Sequence, residues 1–165
     1  MARTASIVTA KVAAYMSDGS SGLAPVIANL SADAGLDLPV IQPESIVRQH
    51  APVAVMERGA SAKYPAVHIY VDRVQNLLTE KFRTFSGRVR TVAEIRVSQD
   101  RMEDLEEQLR LYVEAVTEIL NNNRGCWDQG MFYAGGYEIK YEPIQHGGRN
   151  LLQVAKVIFE VDLSS

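Results

Sequence analysis

Residues 83–120, RTFSGRVRTVAEIRVSQDRMEDLEEQLRLYVEAVTEIL, change their hydrophobic period midway. Val89, Thr91, Ala93, Ile95 and Val97 alternate with Arg88, Arg90, Val92, Glu94 and Arg96. A period of two predicts a strand with one apolar and one charged face, as in an antiparallel sheet solvated on one side. Beyond Gln99 the repeat lengthens. Met102, Leu105, Leu109, Val113, Val116 and Ile119 or Leu120 recur every three or four residues and predict a long amphipathic helix. Asp100 is placed to cap it, with Glu103 three residues on, approximating a capping box. Glu103, Asp104, Glu106 and Glu107 crowd its first half, where the helix dipole favours carboxylates. The run NNNRG, 121–125, ends it, with Gly125 as the left-handed cap.

The same reading extends outward. In YPAVHIYVDRV, 64–74, Val67, Ile69 and Val71 face one way and Ala66, His68 and Tyr70 the other, a buried strand with Pro65 at its start. Residues 75–82 connect it to the next strand. Downstream, Tyr137, Ile139 and Tyr141 alternate with Glu138, Lys140 and Glu142. QHGGRN, 145–150, reads as a turn. Ala155, Val157, Phe159, Val161 and Leu163 then line one face of a returning strand, with Lys156, Glu160 and Asp162 on the other. Upstream, Val8, Val12 and Tyr15 make a helical stripe, SDGSSG breaks it, and Leu23, Val26, Ile27 and Leu30 make a second, stopping at Gly35. Pro39, Pro43 and Pro52 interrupt residues 36–63, which predicts an extended arm or long loop with one short strand near Val53 to Met56.

The predicted fold is therefore α+β: a mainly antiparallel four-stranded sheet packed by one long helix, with N-terminal helices over 1–35, an arm over 36–63 and the core over 64–165. A length of 165 residues suits one domain. The formal charge of -3 gives no global polycation for nucleic acid. The N-terminal stretch is too polar for a secretory signal and no long apolar run predicts a membrane span, so a cytosol-like compartment is expected.

Chemistry is hard to find. The single cysteine, Cys126, excludes an internal disulfide and reads as a small, partly buried thiol. His50, His68 and His146 fall on different elements and form no helical zinc pair; His68 reads as a structural imidazole and His146 as a solvated turn residue. No glycine run matches a phosphate loop or a nucleophile elbow. No cofactor or metal is expected. The acidic residues 103–107 read as a solvated helix face. Arg88, Arg90 and Arg96 share the polar face of one strand, with Arg83 nearby. That row is read first as a solvated face, next as a subunit contact with acidic partners, and last as a phosphate contact. Were the protein an enzyme or a ligand-binding domain, Tyr133, His146 and Arg149, near glycine-containing turns, would be the candidates.

The order of elements resembles that of tail terminator proteins of long-tailed bacteriophages and related head-tail joining proteins. The likeness rests on YPAVHIYV, on the helix SQDRMEDLEEQLRLYVEAVTEIL, and on the closing strands YEIKYEPI and LLQVAKVIFEVDL. It covers residues 64–163 well and the first 63 loosely. It implies a non-catalytic virion protein, put together in the host cytoplasm and sited at the tail-neck junction. It implies a ring homo-oligomer, commonly a hexamer, capping the tail tube, with sheath as a further neighbour, docking to neck or connector proteins, and passing DNA through its pore. A neck adaptor or tail completion protein would share this element order. On that resemblance Arg83, Arg88, Arg90 and Arg96 of one subunit meet Glu103, Asp104, Glu106 and Glu107 of the next.

Overall fold

A computed structural model describes residues 3–52, 63–147 and 150–165. Among them are three α-helices and eight strands in one open, mixed sheet, an α+β fold. Helix α1 is Thr4–Ser17, α2 Leu23–Ala34 and α3 Met102–Asn122. The long strands are β2 (Ala66–Asn76), β3 (Ser86–Gln99) and β8 (Asn150–Ser164). Shorter ones are β1 (Ile46–Val47), β4 (Gly125–Cys126), β5 (Met131–Tyr133), β6 (Tyr137–Tyr141) and β7 (Gln145–Gly147).

The sheet runs β1-β2-β3-β8, and β8 then carries β7, β6 and β5 in succession along its other side, with β4 beyond β5. Only β1 pairs in parallel, over two residues of β2. The four predicted strands correspond to β2, β3, β6 and β8. The predicted 145–150 turn differs: Gln145 and His146 pair with Leu152 and Leu151, so His146 lies on a strand. The β2–β3 ladder shifts register at Asp72, between Val71 and Arg73.

Helices α1 and α3 cover one face of this sheet, and α2 packs against α3. Val67, Ile69, Val89, Ala93, Ile95, Ala155, Val157, Phe159 and Val161 meet Leu105, Leu109, Val113, Val116 and Ile119 from α3. Each such aliphatic side chain contributes about 1.5–3 kcal/mol by leaving water. Val8, Val12 and Met16 of α1 and Val26 and Ile27 of α2 complete the layer. Trp127 closes one corner. Its Nε1 donates to Asn123 O, and its ring meets Tyr15 and Tyr133, each at 5.3 Å.

Several local expectations are corrected. Helix α3 begins after Arg101 with no side-chain cap, so Asp100 and Glu103 form no capping box, and Met102 is exposed instead of buried. The helix ends at Asn123, whose N–H donates to Leu120 O and whose Nδ2 donates to Ile119 O. Gly125, at φ +104, belongs to β4. Cys126 is exposed because it faces outward on that edge strand. Gly35 does cap α2, at φ +67.

Residues 36–52 lie on the body instead of extending from it. Leu38 and Ile41 are buried, Tyr112 Oη donates to Pro39 O, and Arg48 Nη2 donates to Ser6 O at 2.9 Å. Apolar residues between the prolines give this stretch a reason to pack. The short strand predicted near Val53 to Met56 lies outside the described residues.

Candidate functional site

Among the described residues the sheet has two long borders that no strand pairs with along most of their length, and exposed apolar side chains gather on both. Nine large hydrophobic side chains are exposed among the described residues: Leu36, Met102, and seven that lie on or beside these borders. Singly scattered exposed apolar residues need no explanation, but such clustering does.

The first border is the outer side of β2. Beyond His68, no described strand pairs with it. Val74 is exposed there, and the connection to β3 carries Leu77, Leu78 and the fully exposed Phe82. Hydrogen bonds hold the connection firmly. Asn76 Oδ1 accepts from Leu78 N at 3.3 Å and Ser86 N at 3.1 Å, and Asn76 Nδ2 donates to Thr84 O at 3.1 Å. Glu80 N donates to Ser86 Oγ at 3.0 Å, while Ser164 Oγ donates to Glu80 Oε2 at 2.6 Å. Thr84 N and Phe85 N both donate to Ser165 O at 3.0 Å. Leu78 and Phe82 have left-handed backbones, φ 48 and 64, costing about 1–2 kcal/mol each. The polar atoms of the loop thus turn inward, and its largest apolar side chains are held in water at a conformational cost. Strain maintained in this way is a pointer to function.

The second border, on the opposite side of the sheet, is formed by β6 and by β4, which pairs along the outer side of β5. Among the described strands, β6 pairs only with β8. Tyr137 and Tyr141 are exposed on its helix-side face, opposite Phe159 and Ala155 of β8, and Phe132 is exposed on the other face, opposite Asp162. Tyr133, one residue on, points inward and is buried; its hydroxyl donates to Gly136 O at 3.2 Å, and burial raises its pKa to about 12.

Between the borders, the face away from the helices divides into two halves. Near the β2–β3 loop it is a solvated ladder. Arg73 Nη2 donates to Glu160 Oε1 at 3.3 Å, Arg88 Nε lies 3.7 Å from Asp162 Oδ1, and Arg90 Nε lies 3.5 Å from Asp72 Oδ1. Toward the other end the face is buried. Glu94 accepts from Arg96 Nε at 2.7 Å and from Tyr70 Oη at 3.0 Å, and Lys156 Nζ stands 3.9 Å away. His50 stacks on Tyr70 at 3.7 Å and Arg96 Nη2 donates to Ala51 O. His68 Nδ1 lies 3.3 Å from Gln49 O. Burial, with the Arg96 guanidinium, lowers the His68 pKa. Burial, with the Glu94 charge, pushes the Tyr70 hydroxyl well above its ordinary value. An open groove of about 610 Å³ borders this cluster, with Glu94, Arg96, Glu142 and Lys156 among its walls. Lys156 also stands 3.8 Å from Glu142, so those charges answer one another.

The predicted arginine row is therefore not one surface. Arg88 and Arg90 lie on the open ladder, Arg96 is buried, and Arg83 sits in the loop 3.5 Å from Glu80. The sheet separates Arg88, Arg90 and Arg96 from the acidic residues of α3. Glu106 and Glu107 pair with Arg110 of their own helix, at 3.8 and 3.4 Å, while Glu103 and Asp104 are exposed in its first turn. Tyr133 and His146 do not converge. Phe132, the neighbour of Tyr133, pairs with Asp162 of β8 and His146 pairs with Leu151, eleven positions apart, about 36 Å at ~3.3 Å per residue. Arg149 lies outside the described residues. Leu77, Leu78 and Phe82 were not singled out from sequence, although three large apolar residues in a short polar connection are an available signal.

Among the described residues, no group of three His, Cys, Asp or Glu side chains is placed to hold a metal, and no helix is long and apolar enough to cross a membrane. No protein-family model matches the chain, and no curated protein matches it.

Proposed function

We propose that this chain is a structural virion protein, a tail terminator whose copies form a ring that caps the tail tube and docks to the neck. The observation that carries this reading is the pair of open borders on opposite sides of one sheet, each bearing exposed apolar side chains. An open sheet edge invites pairing with another chain, and proteins that keep one exposed without blocking it use it or risk aggregation. Borders on opposite sides suit a head-to-tail contact, which closes into a ring when its rotation closes. The frame of β2, β3, β8 and β6 crossed by α3 supports the resemblance to terminator and head-tail joining proteins. In this reading the partners are further copies of the chain, six in all for the ring the resemblance implies, together with tube, neck and sheath proteins, and DNA passes through the pore.

Electron microscopy of particles that lack the protein tests the role. Overlong or open-ended tails are expected. Tailless, filled heads would instead identify a neck adaptor, and normal particles would overturn both.

A ligand-binding role is the second reading, favoured by the groove beside Glu94, Arg96, Glu142 and Lys156. Its charges already neutralise one another, which leaves little unspent affinity for an ionic ligand. Calorimetric binding of a small anion or cation, abolished by Lys156→Ala, would favour this reading over assembly.

A further inference from the structure

We propose that the loop bearing Leu78 and Phe82 is the knob of a self-interface, and that it seats against the exposed Phe132 side chain, beside the β4 end of the second border, in a second copy. The inference rests on the ring reading only in taking the partner to be another copy of this chain.

Strand direction is the first argument. Strands β2 and β3, β3 and β8, and β8 and β6 all pair antiparallel, so β2 and β6 point in opposite directions. A rotation about an axis along the strands preserves strand direction. It therefore brings β2 of the next copy beside β6 as an antiparallel neighbour, the more favourable pairing, and the sheet continues its alternation.

Level along the strands is the second. Gln75 pairs with Arg88, Arg88 with Asp162, and Asp162 with Phe132. One row thus joins the base of the loop to Phe132, one strand in from the far border, where Cys126 of β4 pairs with it. Side-by-side copies without axial slip place the loop of one at the level of Phe132 on the next. Leu78 and Phe82, whose exposure is costly in the free chain, then gain an apolar surface.

Charge is the third. Residues 73–83 carry Arg73, Lys81 and Arg83 against Glu80, a balance of +2. Residues 128–142 carry Asp128, Glu138 and Glu142 against Lys140, a balance of -2. Lys81 and Glu138 are exposed, and neither makes an ion pair among the described residues. Opposite signs around an apolar centre favour the correct register and penalise knob-to-knob contacts.

Sedimentation velocity on the full chain, from micromolar to several hundred micromolar, tests the contact. Wild type is expected to form species larger than a dimer. Phe82→Asp alone, and Phe132→Asp alone, are each expected to weaken association at least tenfold while keeping the wild-type circular dichroism. Mixed in equal amounts, the two variants are expected to form a heterodimer and stop there, because each retains the half that the other lacks. Should either variant lose its fold, Lys81→Glu and Glu138→Lys serve instead: each alone weakens assembly, and the reversed pair mixed together restores it. A wild type that stays monomeric throughout, or variants that assemble as wild type, would overturn the interface. Imaging particles made with the variants separates the two proposals. Defective tails from a protein that assembles as wild type remove the interface and leave the role, while normal tails from a protein that no longer assembles do the reverse.

Discussion

Glu94 and Arg96 stand two residues apart on β3, both buried on the face away from the helices, and Arg96 Nε donates to Glu94 Oε2 at 2.7 Å. A strand places residues i and i+2 on the same face, so the pair is local in sequence. Its burial is not local: it lies beneath His50 and Ala51, which arrive from the other end of the β1 connection.

Removing one partner should expose that dependence. Glu94→Gln is expected to cost about 3–5 kcal/mol, because the Arg96 guanidinium stays buried without its counter-charge. The double variant Glu94→Leu with Arg96→Met should cost less than either single change to an uncharged residue. Urea unfolding of all four proteins checks both statements.

His68 should make stability depend on pH. Burial foremost, then the Arg96 guanidinium, holds its folded pKa below the ordinary 6.5. Between those two values the unfolded chain binds more protons than the folded one, so the stability contributed by the neutral imidazole is complete above about pH 6.5 and falls as the pH drops below it. The loss levels off below the folded pKa. Urea midpoints from pH 8 to pH 5 should show this slope in wild type, and a smaller one in His68→Gln.

Gly130 should not tolerate a side chain. Its φ is +79, and an added Cβ would lie 2.0 Å from Ser164 O. Gly130→Ala is expected to cost at least ~2 kcal/mol by combining left-handed strain with displacement of the β8 end. At Gly19 nothing lies within 4 Å of the added carbon, and Gly19→Ala should stay within about 0.5 kcal/mol of wild type. Thermal melts of the two variants make the comparison.

The two ends of the α3 stripe should behave differently. Leu109 is fully buried, and Leu109→Ala is expected to cost about 2–5 kcal/mol. Met102 is exposed, and Met102→Ala should change stability by less than ~0.5 kcal/mol. Guanidinium unfolding with unchanged slope distinguishes these outcomes.

The ladder arginines should matter little to the isolated fold. Arg88 is more than half exposed, and its contacts with Glu160 and Asp162 are 3.9 and 3.7 Å. Arg88→Ala is expected to change unfolding free energy by less than about 1 kcal/mol.

Legibility followed the range of the forces involved. The α3 stripe from Leu105 to Ile119 and the alternation of Val89 to Val97 could be read because a helix or strand with one buried face imposes its own period. Start and stop of α3 were misread at Asp100 and Gly125, because terminal backbone groups choose among several nearby partners for about 1 kcal/mol. Arg96 was read with Arg88 and Arg90, since all three share a face and period. Nothing within β3 reports that residues 48–52 cover one half of that face and leave the other open.

The sequence by itself determined the helices and the strands β2, β3, β6 and β8, and which side of each is apolar. Only the tertiary structure decided which borders of the sheet the described strands leave open, that β5, β6 and β7 share one side of β8, and that Phe82 and Phe132 lie toward opposite sides of the sheet at the same end. The physical reason is that periodicity is set by neighbours two to four residues along the chain, whereas exposure of an edge depends on what distant segments fail to cover, and no local pattern encodes that.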